Sequence, residues 1–297
     1  MTEAPTIRLQ HVEKRFGGTL AVRDISLEVE RGSVCGFLGP NGAGKSTTIR
    51  MIMSIILPDA GSVQVLGGSA LDAKDRIGYL PEERGLYRKM KVGEFVGYMA
   101  RLKGVHPTGL SRRIEDWLER LALPGVAKRR CEELSKGQQQ KIQLLASIIH
   151  APDLLILDEP FSGLDPINAQ ALKDTVVELR RRGKTVIFST HLMDNAERLC
   201  DSVCIIAGGK KVLDGTVSGV KAEHGARNVA LGVAGGRERI AALLQDRGMI
   251  ERADDQNRFV EISLRRDADP QALLRALVEQ GVEVQRDRKS TRLNSSH

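Results

Sequence analysis

Between Thr6 and Gly39 the chain reads TIRLQHVEKRFGGTLAVRDISLEVERGSVCGFLG, with apolar and polar residues alternating and breaks at Gly17-Gly18 and Arg31-Gly32. A period of two between glycine-containing turns predicts antiparallel strands that lead into a short apolar strand over 32–38. The stretch STTIRMIMSII that follows predicts a buried helix from Ser46. From Val92 to Cys131 the spacing becomes helical, and Trp117, Leu118 and Leu121 fall on one face, which makes Trp117 a core residue. Beyond it, QQKIQLLASIIH predicts a helix, PDLLILDEP a buried strand and INAQALKDTVVELRRRG a helix. KTVIFSTH predicts a strand, LMDNAERLC a helix and SVCIIAGGKKVLDG a hairpin. Strands alternating with helices define an α/β class with a parallel sheet, preceded here by an antiparallel β patch.

After Gly219 the pattern changes to ARNVALGV, ERIAALLQDRG, RFVEISL, PQALLRALVEQG and VEVQR, a β-α-β-α-β succession. Residues 220–286 are thus expected to form a small α+β, ferredoxin-like and truncated module. It holds no catalytic constellation, which suits a regulatory or dimer-supporting role. The last eleven residues, DRKSTRLNSSH over 287–297, are polar and carry no hydrophobic period. They match one reading frame of a common short-read sequencing adapter and are read as foreign, with the natural sequence expected to continue past Arg286.

Length and composition narrow the classes further. A chain of 297 residues accommodates one large domain and one smaller one, and 28% charged with 41% hydrophobic residues is ordinary for a globular protein. No apolar run approaches the ~18 residues of a membrane span. The start MTEAPTIRLQ lacks the basic-then-apolar layout of a signal peptide, so a cytoplasmic location is expected. The four cysteines are scattered; Cys200 and Cys204 have the spacing of half a metal site, but Cys204 lies in an apolar strand, and reduced buried thiols are expected. A net charge of +7 raises the question of nucleic acid. The basic residues are spread along the chain, and the cluster Arg180-Arg181-Arg182 ends a helix, where cations complement the dipole.

The candidate chemistry begins at LGPNGAGKST, Leu38 to Thr47. Gly39, Gly42 and Gly44 permit positive φ and close backbone approach, and Gly39-x-x-x-x-Gly44-Lys45-Ser46 has the Walker A spacing. Between a strand and a helix, the loop from Gly39 through Pro40, Asn41, Gly42, Ala43 and Gly44 to Thr47 places phosphate at a helix N-terminus. Lys45 then reaches the β- and γ-phosphates, and the Ser46 hydroxyl ligates Mg²⁺. The run LLILDEP delivers Asp158 and Glu159 at the C-terminal end of a buried strand, where α/β ligand sites form. Asp158 is placed to hold Mg²⁺ through water, and Glu159 to act as general base on the attacking water. In ELSKGQQQKI, Ser135 is placed as the N-cap of a helix.

Walker A, ELSKGQ, LLILDEP, SGLD and STH occur here in the order and spacing of the ATP-binding cassette (ABC) ATPases, and the chain resembles that family over roughly Thr6 to Gly219. The resemblance implies a P-loop NTPase core with an antiparallel β subdomain and a helical subdomain over about 86–145. Leu134-Ser135-Lys136-Gly137-Gln138 matches the LSGGQ signature with lysine for its first glycine, and the family sets this motif against the γ-phosphate of a second subunit. Asp165 matches the D-loop, His191 the switch histidine, and Phe16 the aromatic that stacks on adenine, with a core phenylalanine as the rival reading of Phe16. Glu82 stands where most members carry the Q-loop glutamine, adding charge beside the metal. YLPEERGLY and the small C-terminal module resemble ATPase subunits of ABC-2 type exporters, including sodium and drug efflux systems.

The implied protein binds ATP and Mg²⁺, forms a homodimer and drives a separate integral membrane permease from the inner face of the membrane. The groove at Gly85 to Gly104 would receive a coupling helix of that permease. The competing reading is a non-transport ABC ATPase acting on nucleic acid or ribosomes. Only 87 residues separate Ser46 from Leu134, without heptads, and the chain carries one cassette, so the expectation is no nucleic-acid partner. A regulatory nucleotide-binding module with negligible turnover is disfavoured by the presence of both Glu159 and His191.

Overall fold

The computed structural model describes residues 4–83, 85–224, 228–233, 249–255, 260–265 and 284–289. The chain divides into two compact units, Met1–Gly215 and Thr216–His297.

In the larger unit, β1 (Ile7–Phe16) and β2 (Thr19–Val29) form an antiparallel pair joined at Gly17-Gly18, with Phe16 opposite Thr19. Ile7, Leu9 and Val12 of β1 and Val22, Ile25, Leu27 and Val29 of β2 are buried, so the alternation in the sequence is the inside and outside of this patch. β3 (Val34–Leu38) is buried throughout and runs into the glycine loop and α1 (Lys45–Ile52). The helix is shorter than the sequence predicts. It stops at Ile52, the chain turns through Ser54 at φ +55°, and Ile55 is exposed, so the apolar residues past Met53 are not part of a buried helix. β4 (Ala60–Val65) then pairs antiparallel with β1, completing a sheet in the order β2-β1-β4.

The chain continues through β5 (Ile77–Leu80), α2 (Val92–Leu102), α3 (Leu110–Arg120) and α4 (Lys136–Ile148). β6 (Leu154–Leu157), α5 (Pro166–Arg181), β7 (Thr185–Thr190) and α6 (Met193–Leu199) follow. β8 (Ser202–Ala207) and β9 (Lys210–Thr216) meet at the Gly208-Gly209 turn. The second sheet has the order β5-β6-β7-β3-β8-β9, and every pair from β5 to β8 is parallel. Its central strands are apolar on both sides. Leu155 and Leu157 of β6 belong to a cluster with α2, α3 and α4, whereas Leu154 and Ile156 belong to one with α1 and the first sheet. A strand covered on both faces has no polar side to show, which is why LLIL and VIF read as continuous apolar runs. At about 1.5–3 kcal/mol for each large apolar side chain buried, these two clusters are the main attraction holding the sheets and helices together.

Trp117 is buried as expected, and its ring is flanked by the guanidinium groups of Arg120 and Arg182 at 5.2 and 6.0 Å. Both arginines pair with Glu178 of α5. Cys35, Cys131 and Cys204 are buried and all four cysteines are free thiols. Burial pushes the Cys35 thiol up to about 12, and it raises the other three as well.

The smaller unit opens with α7 (Val217–His224), so the sequence boundary at Gly219 falls inside its first helix. β10 (Asn228–Val233), β11 (Ile250–Asp255), β12 (Val260–Leu264) and β13 (Val284–Lys289) form an all-antiparallel sheet in the order β11-β12-β10-β13. This is the strand order of a ferredoxin-like module. The sequence pattern shows three of the four strands; IERADD, with only Ile250 and Ala253 apolar, has too little alternation to declare β11. The helices expected over 238–248 and 270–281 lie outside the described residues. β13 runs three residues past Arg286, pairing Asp287, Arg288 and Lys289 with Leu231, Ala230 and Val229.

Candidate nucleotide-binding and hydrolysis site

Where β3 ends, the backbone turns back on itself in a way that needs glycine. At Gly39, with φ +149°, a methyl group would overlap the Ile206 carbonyl oxygen. At Gly44, with φ +105°, it would lie 2.7 Å from the Ala21 carbonyl oxygen. The loop so formed delivers α1 with no capping side chain and no acidic residue in its first turn. Its leading N–H groups face a cavity of about 360 Å³ walled by residues 41–47 with Ala21, Glu82 and Glu159. Unpaired amides at the positive end of a helix suit an anion.

Lys45 is buried in this wall. Its Nζ donates to the carbonyl oxygens of Gly39 (2.8 Å) and Pro40 (3.1 Å) and lies 3.6 Å from Glu159 Oε1. The ammonium is therefore fixed by the loop it serves, and a phosphate entering the cavity meets a charge already in position.

Strand β6 delivers the two acidic residues from the other side. Asp158 Oδ1 accepts hydrogen bonds from Ser46 Oγ (3.1 Å) and Ser189 Oγ (2.6 Å). The Glu159 N–H donates to the same Ser189 hydroxyl at 2.8 Å. Glu159 adopts φ +45°, a left-handed conformation that costs a non-glycine residue about 1 kcal/mol or more. The turn sends its carboxylate back over the cavity, where Oε2 lies 3.2 Å from His191 Nδ1. Glu159 Oε1 is buried and has no hydrogen-bond partner. His191 directly follows the last residue of β7, and its ring is half exposed.

The donor set suits a hard divalent cation. Ser46 and Asp158 present oxygen, the Glu159 Oε1 that accepts no hydrogen bond shares the cavity, and Glu82 lines the same wall. Among the described residues no group of three His, Cys, Asp or Glu forms a metal cage, so substrate oxygens and water would have to complete the coordination, as Mg²⁺ prefers. The negative field is felt nearby: the Tyr79 hydroxyl titrates above its usual range, first through burial and then through the charge of Asp158, with a smaller contribution from Glu82.

The other sequence candidates fall elsewhere. Ser135 caps α4, its Oγ accepting from Gln138 N–H (3.3 Å) while Gln138 Oε1 accepts from Ser135 N–H (3.0 Å). Lys136 is exposed and Gly137 buried. Asp165 caps α5, accepting from Asn168 N–H at 2.9 Å, and hydrogen bonds from Asn168 hold its carboxyl below the usual carboxylate range. These residues form a second cluster, outside the cavity wall. Phe16 is not a core residue: it is 50% exposed at the end of β1, with Lys14 Nζ 5.7 Å from its ring, and it too lies outside that wall.

Two contributors escape a reading of the sequence. Ser189 holds both Asp158 and the Glu159 backbone, and the only signal is a hydroxyl inside a fully buried strand. Gln140 donates to the Pro160 carbonyl at 2.6 Å, tying α4 to the segment after Glu159.

A glycine loop at a helix start, a lysine within it and two acids at the end of β6, one strand removed from β3 in the sheet, define a P-loop nucleotide hydrolase. Comparison with known proteins narrows the class. The family profile described as ABC transporter matches residues 22–162. The ABC transporter ATP-binding protein YhaQ of Bacillus subtilis (strain 168) is 43% identical over 226 residues, 76% of this chain and 76% of that protein. The Nod factor export ATP-binding protein I of Burkholderia lata is 37% identical over 219 residues, 72% of each chain. Among solved structures, the ATP-binding subunit of an ABC transporter superposes with a TM-score of 0.69 at 27% identity, covering 80% of this chain and 98% of that one. The chain belongs to the family of ABC transporter ATP-binding proteins and is an ATPase subunit of a membrane transporter. Among the described residues no helix is long and apolar enough to cross a membrane, and subunits of this family work with membrane permease partners.

Proposed function

We propose that this chain binds Mg²⁺-ATP in the 360 Å³ cavity and hydrolyses it to drive export through a separate permease, acting as a homodimer on the inner face of the membrane. The observation that carries the reading is the meeting of Lys45 and Glu159 in the cavity at the start of α1, with His191 in contact with the Glu159 carboxylate. Lys45 neutralises charge on the β- and γ-phosphates. Glu159 accepts a proton from the attacking water, and His191, hydrogen-bonded to it, holds the carboxylate in place. Ser46 and Asp158 would hold Mg²⁺, whose chemistry is to offset charge on the phosphate oxygens. In the dimer, Ser135, Lys136, Gly137, Gln138 and Asp165 face the nucleotide of the other copy, and Phe16 stacks on adenine.

Export is supported by relatives such as the Nod factor export ATP-binding protein I. Docking of the permease is assigned to the surface beside Glu82, where Tyr87 packs edge-on against Phe95 and Tyr98 with centroids 6.0 Å apart and remains half exposed. Nucleic acid has no place in this reading. Affinity purification of the full chain from its native membranes is the test: a co-purifying polytopic membrane protein with ATP-dependent efflux is expected, whereas co-purifying RNA or DNA would overturn it.

A further inference from the structure

Helices α4 and α5 start against each other, and one amide lies between them. Asn168, in the first turn of α5, donates its main-chain N–H to Asp165 Oδ1 and its side-chain N–H to Asp165 Oδ2. The same side chain lies flush against Gly137: a methyl group at 137 would overlap Asn168 Nδ2 and come within 2.9 Å of its Cγ. Gly137 sits inside the turn closed by Ser135 and Gln138. One half-buried side chain thus touches both the helix start that carries the signature and the carboxylate that caps the next helix.

We propose that Asn168 is a positioning residue whose amide locks the Asp165 carboxylate and the Ser135–Gln138 turn into one surface of fixed shape, the surface that a second copy of this chain presents to nucleotide. This rests on the dimer reading above. The physical argument is one of contact and direction. Asp165 is exposed; main-chain N–H groups of Asn168 and Ile167 hold its carboxylate, and the Asn168 side-chain amide is the side-chain donor that fixes Oδ2. Gly137 has no side chain of its own to set the distance between the helices, and the Asn168 amide fills that place. Gln140, bonded to the Pro160 carbonyl one turn on, anchors α4 to the strand end that carries Glu159. Surface elements held this way meet a partner without first being ordered, which lowers the cost of association.

The test uses the full chain carrying Glu159→Gln, with MgATP-dependent dimerisation followed by analytical ultracentrifugation. Asn168→Ala is expected to weaken dimerisation about tenfold while nucleotide affinity, measured below the dimerisation midpoint, changes less than twofold. Asn168→Asp keeps the size of the side chain but turns a carboxylate toward Asp165, and is expected to weaken dimerisation further. Gly137→Ala alone should also impair it, and Gly137→Ala with Asn168→Ala should be no worse than Gly137→Ala, because the overlap is gone. Dimerisation of Asn168→Ala and Asn168→Asp at the parental concentration, or strictly additive effects of the pair, would overturn the assignment. If the Glu159→Gln parent itself stays monomeric with MgATP, the dimer reading fails first and the role of Asn168 fails with it.

Discussion

Helix α1 begins on Gly44 with no capping side chain, whereas α4 begins on Ser135, whose hydroxyl and the Gln138 amide close the first turn reciprocally. Both starts are glycine-containing and both follow an apolar residue, yet only one leaves its amides open. The difference lies in the backbone. Gly44 at φ +105° opens the α1 start toward a cavity and places a buried lysine beside it. Ser135, with its backbone in the β region, turns its own oxygen back onto the helix, satisfying one orphan N–H internally. The open end must take its acceptors from a ligand; the capped end has one of its N–H groups satisfied before any partner arrives. On the proposed dimer, binding within one chain and recognition between chains fall to different helix starts, and variants at the two should fail in different ways.

The largest effect is expected at the carboxylate above the open end. Glu159→Gln removes the proton acceptor while leaving its neighbours Lys45 and Ser189 in place, so kcat should fall about 10²–10⁴-fold with ATP still bound. Steady-state ATPase assays with calorimetric ATP binding check both halves; near-parental turnover would remove Glu159 from catalysis. Lys45→Ala comes next. A charge-assisted bond to phosphate contributes about 1.5–3 kcal/mol, so ATP affinity should weaken about 10–100-fold. Unchanged affinity by calorimetry would break the assignment of the open helix start.

At the closed end the expected failure is of stability. Ser135→Ala removes the cap of α4, which costs about 1 kcal/mol and lowers the melting midpoint by about 2–4 °C in a chain of this size. Differential scanning calorimetry checks it. A parental melting midpoint would show that the hydroxyl contributes nothing to the helix start and exists for a partner alone.

The asymmetry also explains what could be read beforehand. The α1 start was legible because local backbone demands and chemistry coincide in ten consecutive residues, and glycine is required at Gly39 and Gly44 by main-chain contacts. Asp158 and Glu159 were legible because a buried strand ends on them. The parallel pairing of the second sheet follows from alternating strands and helices, but the pattern does not declare β4 and β5, since GSVQV and IGYL are short and acquire their pairing from distant strands. Ser189 and Asn168 act across gaps of 31 residues each, to Asp158 and Gly137, and such contacts leave no periodic trace. The same applies to Phe16, whose aromatic character suited a core position or a stacking platform and whose exposure only the fold could reveal.

The smallest effect is expected at Glu82, which sharpens the picture of the open end. Its side chain shares the cavity wall with the Walker loop and Glu159, so its charge adds to that of Asp158 and Glu159 around the oxygens suited to Mg²⁺. Charge count helps set the affinity of a hard cation, and a group acting through an intervening water contributes less than a direct ligand. Glu82→Gln keeps the oxygen and removes the charge. The Mg²⁺ concentration for half-maximal ATPase is expected to rise about threefold, equivalent to ~0.6 kcal/mol, with kcat at saturating Mg²⁺ little changed. A parallel shift in ATP affinity measured without Mg²⁺ would assign Glu82 to the phosphates instead, since removing a negative charge there should tighten binding. Identical Mg²⁺ titrations for variant and parent would show that Glu82 lines the wall without contributing to the field at the metal.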